Sequence, residues 1–77
     1  MEKEEIKKKV LYLLAEMFDL VDVKDEDRLK DDLGLDSLDV VELIVYLERD
    51  FKVHFDSAFE SKTVSELVDK VYELQKV

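Results

Sequence analysis

The chain contains no proline and a single glycine, Gly34, in 77 residues, so the residues that ordinarily punctuate loops are nearly missing. Element boundaries must come instead from helix caps and from the period of the apolar side chains. Ile6, Val10, Leu13, Leu14 and Met17 recur at helical spacing, with Lys3, Lys7, Lys8 and Glu16 on other faces, which predicts a first helix over residues 4–18. Across residues 19–36 that period fails and acids dominate; only Val21, Val23, Leu29, Leu33 and Leu35 are available to anchor the segment. An ordered connection of ~18 residues without secondary structure is unusual in a compact domain and tends to be functional. Gly34 lies near its end, where a positive φ or a close backbone approach is most easily made.

A second helix is expected to start at the Asp36-Ser37 step, because a short acidic or hydroxyl side chain suits an N-cap, and Asp39 and Glu42 favour the positive end of the helix dipole. It should run to about Asp50. Further on, Thr63-Val64-Ser65-Glu66 has the S/T-x-x-E form of a capping box. It stands directly before Val64, Leu67, Val68, Val71 and Tyr72, which share one face and predict a last helix ending near Gln75. Residues 51–62, with Phe51, Val53, Phe55 and Phe59, suggest one helical turn around residues 57–60. No strand pattern is longer than that of residues 52–55. The expected fold is all-α: a small bundle of three main helices plus one short helix, with a long loop between the first and second.

Composition narrows the function classes. The length fits one domain spanning residues 1–77. A hydrophobic content of 47% separates the chain from disordered acidic tails, which lack the apolar surface to offset the entropy of ordering. A domain of this size hides only roughly 60–65% of the surface its unfolded chain exposes, so its stability margin is slim. The longest apolar run, from Val10 through Ala15, falls far short of the roughly 18–20 residues of a membrane span. The start Met1-Glu2-Lys3-Glu4-Glu5 resembles neither a secretory signal nor a transit peptide, which points to the cytoplasm. Cysteine is absent, so thiol chemistry would need a borrowed thiol. The net charge of -9 repels phosphate backbones and makes nucleic acid an improbable ligand; a basic protein is the natural complement.

Both the charge and the apolar residues are unevenly placed. Residues 19–50 hold twelve acids against four bases, whereas residues 1–18 balance and residues 51–77 are nearly balanced. In the second helix, Val40, Leu43 or Ile44, Leu47 and Phe51 make an inward stripe, yet Leu38, Val41 and Val45 make a second one at i, i+3, i+7. Either the helix is buried on two sides, or the second stripe is an exposed strip on which a partner docks, rimmed by Asp36, Asp39, Glu42 and Glu48.

The segment Asp31-Asp32-Leu33-Gly34-Leu35-Asp36-Ser37-Leu38-Asp39-Val40-Val41-Glu42-Leu43 resembles the attachment site of acyl carrier proteins, which read D-L-G-x-D-S-L-D-x-V-E-L; every fixed position is filled. The first helix, the acidic loop, Tyr46-Leu47-Glu48-Arg49-Asp50-Phe51 and the Thr-Val start of the last helix follow in the family's order. The resemblance implies that Ser37 carries a 4'-phosphopantetheine arm, transferred from coenzyme A by a phosphopantetheinyl transferase, whose thiol bears acyl groups as thioesters. A helix N-terminus suits its phosphodiester. It implies a monomeric carrier, not an enzyme, serving acyl-transfer, condensing, reducing and dehydrating enzymes of fatty-acid synthesis. Their basic patches would meet Asp36, Leu38, Asp39, Val41, Glu42, Val45 and Glu48. Leu43, Ile44, Leu47 and Val68 become candidates for sheltering an acyl chain, with ordinary core as the competing role. The chain departs from the family's pattern at Arg49, where fatty-acid carriers commonly have an acid. It departs again in Phe51-Lys52-Val53-His54-Phe55-Asp56-Ser57, which lacks the usual proline and leads into a segment about two residues short. A carrier for a polyketide or other secondary pathway therefore stays open.

Enzymatic and metal readings fare poorly. Gly34-Leu35-Asp36-Ser37-Leu38 is not G-x-S-x-G, and His54, the sole histidine, lies past the far end of the second helix, roughly 20 Å from Ser37 at 1.5 Å per residue. No catalytic residue is assigned. Asp22, Asp25, Asp27, Asp31 and Asp32 crowd one loop, but without the order of an EF-hand, so no dedicated metal site is expected. The remaining alternative is an unmodified helical adaptor binding a basic partner through the same strip, which leaves Asp36-Ser37-Leu38 unexplained.

Overall fold

The computed structural model describes residues 2–56 and 62–76. Three helices, α1 (Lys3–Phe18), α2 (Ser37–Phe51) and α3 (Val64–Gln75), make up its regular structure, so the protein is all-α, as expected. The first helix starts one residue earlier than the periodicity suggests, and the second runs one residue longer. The helical turn expected at residues 57–60 lies outside the described residues.

Each helix ends where a local device stops it. Asp19 adopts the left-handed conformation, and its N–H donates back to the Ala15 and Leu14 carbonyls, closing α1. Lys52 does the same for α2, donating to the Glu48 carbonyl. At the start of α2, Asp36 Oδ1 accepts from Asp39 N at 2.8 Å, while Asp39 Oδ2 accepts from Asp36 N at 3.2 Å. This reciprocal box holds two of the backbone donors that a helix start leaves without partners. At α3, Thr63 Oγ1 accepts from Glu66 N at 3.1 Å, and its hydroxyl lies 3.3 Å from Glu66 Oε1.

The core runs between all three helices and under the loop. Ile6, Val10 and Leu14 of α1, Leu43 and Leu47 of α2, and Val64, Leu67 and Val71 of α3 are fully buried, and Leu29 joins them from the loop. The contact of α1 with α3 is the most extensive, and α2 lies against both. Three lysines of α1 reach three different parts of the chain: Lys3 pairs with Asp69 of α3 at 3.0 Å, Lys7 with Asp25 of the loop at 2.7 Å, and Lys9 with Asp50 of α2 at 3.3 Å.

The loop of residues 19–36 is sewn to the start of α3 by its backbone. Arg28 and Thr63 form an antiparallel bridge. Leu29 N donates to Lys62 O at 2.9 Å, while Val64 N and Ser65 N donate to Asp27 O and Asp25 O at 3.1 and 2.9 Å. Loop carbonyls thereby cap the first N–H groups of α3. Leu29 and Leu35 are buried, and Val23 and Leu33 are half-buried, as the anchoring role requires. Val21 is not an anchor: it is 76% exposed. It sits between Asp19 and Asp22, both at positive φ, and the chain turns it outward while Leu20 packs on the core instead. Gly34 takes a φ of +73° with open space where a Cβ would stand, so its backbone conformation, and not a close approach, is what asks for glycine.

Candidate functional site

Ser37 is the first residue of α2 and is exposed. The Asp36–Asp39 box sets the direction in which α2 leaves the loop and so fixes where the Ser37 hydroxyl projects. At this first position, neither its own N–H nor that of Leu38 has an acceptor within the helix, and both contribute to the positive end of the dipole. Lys30 Nζ lies 3.3 Å from Ser37 Oγ. The turn that carries Lys30 is fixed by Asp32 N and Leu33 N donating to Arg28 O at 3.0 Å and by Gly34 N donating to Lys30 O at 3.2 Å. An exposed hydroxyl between a helix N-terminus and an ammonium group is a place where an anion attached to that oxygen would be stabilised.

The neighbouring acids are engaged in holding the loop. Asp32 Oδ2 accepts from Arg28 N at 2.7 Å and from Arg28 Nε at 3.3 Å, and Asp31 lies 3.5 Å from the same guanidinium. The Arg28 backbone N–H, and then its guanidinium, hold the Asp32 carboxyl below its ordinary value of 3.8, while the Asp32 carboxylate raises Arg28 in return. Asp27 Oδ2 accepts from Lys24 N at 2.9 Å, and Asp25, by its hydrogen bond, raises Lys7. The described residues hold no cluster of three or more groups placed to bind a metal ion.

The second apolar stripe of α2 faces outward. Leu38 is 73% exposed, Val41 55% and Val45 44%, so α2 buries one side only. Glu42 is exposed and falls on the same face by helical spacing, as does Arg49; the Arg49 guanidinium sits over the Tyr46 ring at 5.9 Å. Asp36 is exposed and Asp39 half-buried at the start of this face. Glu48 stands apart from the others. Its Oε2 accepts from Phe55 N at 2.7 Å and lies 3.5 Å from Nδ1 of an almost wholly exposed His54, so it closes the C-terminal end of α2. Of the candidate lining residues, Leu43, Leu47 and Val68 are buried in the common core, and Ile44 is half-buried against it. Lys30 and the role of Glu48 were not legible in the sequence; a lysine seven residues before the serine carries no signal until the turn at Gly34 folds it back.

The phosphopantetheine attachment site family matches residues 8–71, most of the chain. An acyl carrier protein of Porphyromonas gingivalis is 37% identical over 71 residues, which cover 87% of this chain and 91% of that one. The chain belongs to the acyl carrier protein family. One of Chlorobium phaeobacteroides is 43% identical over 51 residues, covering 64% of this chain and 65% of that protein. The crystal structure of an acyl carrier protein from Thermotoga maritima superposes with a TM-score of 0.86 at 26% identity, over 99% of this chain and 93% of that one. The family's prosthetic group is 4'-phosphopantetheine, and the matched region spans the loop, Ser37 and all of α2. Among the described residues, no helix of this acyl carrier protein is long and apolar enough to cross a membrane.

Proposed function

We propose that Ser37 is the residue to which 4'-phosphopantetheine is attached, and that residues 1–77 act as one carrier domain delivering acyl thioesters to the enzymes of fatty-acid synthesis. The observation that carries this reading is the exposed Ser37 hydroxyl at the first position of α2, inside the family match, with Lys30 Nζ 3.3 Å away. In the transfer from coenzyme A, the Ser37 hydroxyl gives up its proton and its oxygen forms the new bond to phosphorus, while 3',5'-ADP departs with the electrons of the broken bond. The arm supplies the thiol that the chain lacks. The chain contributes placement and carries no catalytic group of its own.

The outward strip of Leu38, Val41 and Val45 with Asp36, Asp39 and Glu42 supports docking on Lys/Arg patches of the phosphopantetheinyl transferase and of condensing, reducing and dehydrating enzymes. Charge complementarity of this kind raises the encounter rate and sets orientation without a long-lived complex, as a monomeric cytoplasmic shuttle requires. Glu48, engaged with Phe55 N, contributes to this face through the end of α2 that it holds. Leu43, Ile44, Leu47 and Val68, all part of the common core or packed on it, are the residues among which a sheltered acyl chain would lie. Arg49, a cation on the docking face, favours a second reading in which the partners belong to a specialised acyl pathway.

Intact mass after incubation with coenzyme A and a broad-specificity transferase tests the attachment. The wild-type chain should gain one phosphopantetheine and Ser37→Ala none. A chain that gains nothing, or a variant that gains as much as the wild type, sinks the assignment, and the first result would leave the unmodified adaptor in its place.

A further inference from the structure

We infer that Lys30 is a positioning residue that holds the phosphodiester formed on Ser37 and so sets the direction in which the arm leaves the protein; this rests on the attachment at Ser37. Lys30 lies in the most acidic part of the chain, yet its ammonium makes no ion pair with any described carboxylate and its polar partner is Ser37 Oγ at 3.3 Å. Arg28, two residues earlier, takes both nearby candidates, Asp31 and Asp32. The box takes Asp36 Oδ1 and Asp39 Oδ2. Each of these carboxylates is held to a partner within its own turn and none is in ion-pair contact with Lys30, so the cation faces the serine.

The backbone keeps it there. Leu29 is fully buried and its N–H is bound to Lys62 O, while the Lys30 carbonyl accepts from Gly34 N. A neutral hydroxyl is a weak partner for an ammonium group, whereas a phosphodiester on the same oxygen brings a full negative charge on the non-bridging oxygens two bonds further out. That charge would otherwise stand in the field of Asp36 and Asp39. Lys30 supplies the opposing charge from the side, and the free N–H groups of Ser37 and Leu38 supply it from below.

The test compares apo and holo forms of the whole chain, with the arm thiol capped, by the rate at which an amine-acetylating reagent modifies each lysine, read by peptide mass. An ammonium held by an anion is less available as the free amine. Lys30 should react about two- to fivefold more slowly in the holo form, the scale of an exposed ion pair, and the protection should vanish in about 1 M NaCl. Lys24 serves as the internal reference. The ³¹P resonance of the holo protein should shift in Lys30→Gln and return towards its wild-type position in Lys30→Arg, with helix content unchanged in both. Equal Lys30 rates in the two forms, or a ³¹P resonance indifferent to Lys30→Gln, would overturn the inference while leaving the attachment intact. Failure of the wild-type chain to gain the arm's mass would overturn both.

Discussion

Asp32 illustrates how much a single side chain does in a loop without regular structure. Its carboxylate takes the backbone N–H and the guanidinium of the same arginine, closing the turn that carries Lys30 towards Ser37. Because these contacts lower its folded pKa below 3.8, its contribution to stability is fully present above the unfolded value and is lost as pH falls through the lowered one. Asp32→Asn should therefore be less stable than wild type at neutral pH, and the gap should close only below about pH 3.8. Urea unfolding of the pair between neutral and strongly acid pH measures it; a gap independent of pH would mean that the amide loses shape and not charge. Lys7 gives the opposite sign. Raised above 10.5 by Asp25, it contributes below its unfolded value and is lost as pH climbs through the raised one.

At the level of the element, α2 is a helix with two unlike sides. Truncating Leu43 or Leu47 to alanine removes fully buried side chains and should cost about 2–5 kcal/mol, enough to unfold much of a small domain. Leu38→Ala and Val41→Ala, on the exposed side, should change stability by about 0.5 kcal/mol or less but slow turnover by partner enzymes; paired thermal melts and steady-state assays separate the two effects. Glu48→Ala, which withdraws the acceptor from Phe55 N, should lose about 1–2 kcal/mol in urea titrations. Much of α2 and of α3 is readable in the sequence, because the caps Asp36 and Thr63 and the apolar period are signals written in side chains. The outward turn of Leu38, Val41 and Val45 is not decided by the sequence, since periodicity finds stripes and does not say which one a neighbour covers. The attachment of the loop to α3 was invisible for a different reason: Leu29 to Lys62, Val64 to Asp27 and Ser65 to Asp25 are backbone bonds, available to any residue type. Val21 departs from the anchoring role its apolar side chain suggests because two non-glycine residues at positive φ, Asp19 and Asp22, turn the chain around it.

For the molecule as a whole, the charge of -9 acts on stability and on association with opposite signs. Screening weakens self-repulsion within the fold and also weakens attraction to a basic partner. Raising NaCl from about 10 mM to about 500 mM should raise Tm while lowering kcat/KM for a partner enzyme by about tenfold; a falling Tm would contradict the self-repulsion, and a kcat/KM indifferent to salt would contradict a docking face built on charge. Ion pairs from α1 to the loop, α2 and α3 spread cations where they hold the bundle, leaving the negative field to residues 19–50. The bridge between Arg28 and Thr63 bears also on how the protein is made. During synthesis the loop is translated well before the backbone that fixes it, so Asp25, Asp27 and Leu29 lack their partners until residues 62–65 leave the ribosome. The loop beside Ser37, though encoded in the middle of the chain, is thus anchored only by residues 62–65, and a nascent chain stopped short of α3 would present the serine beside a loop not yet fastened to the bundle.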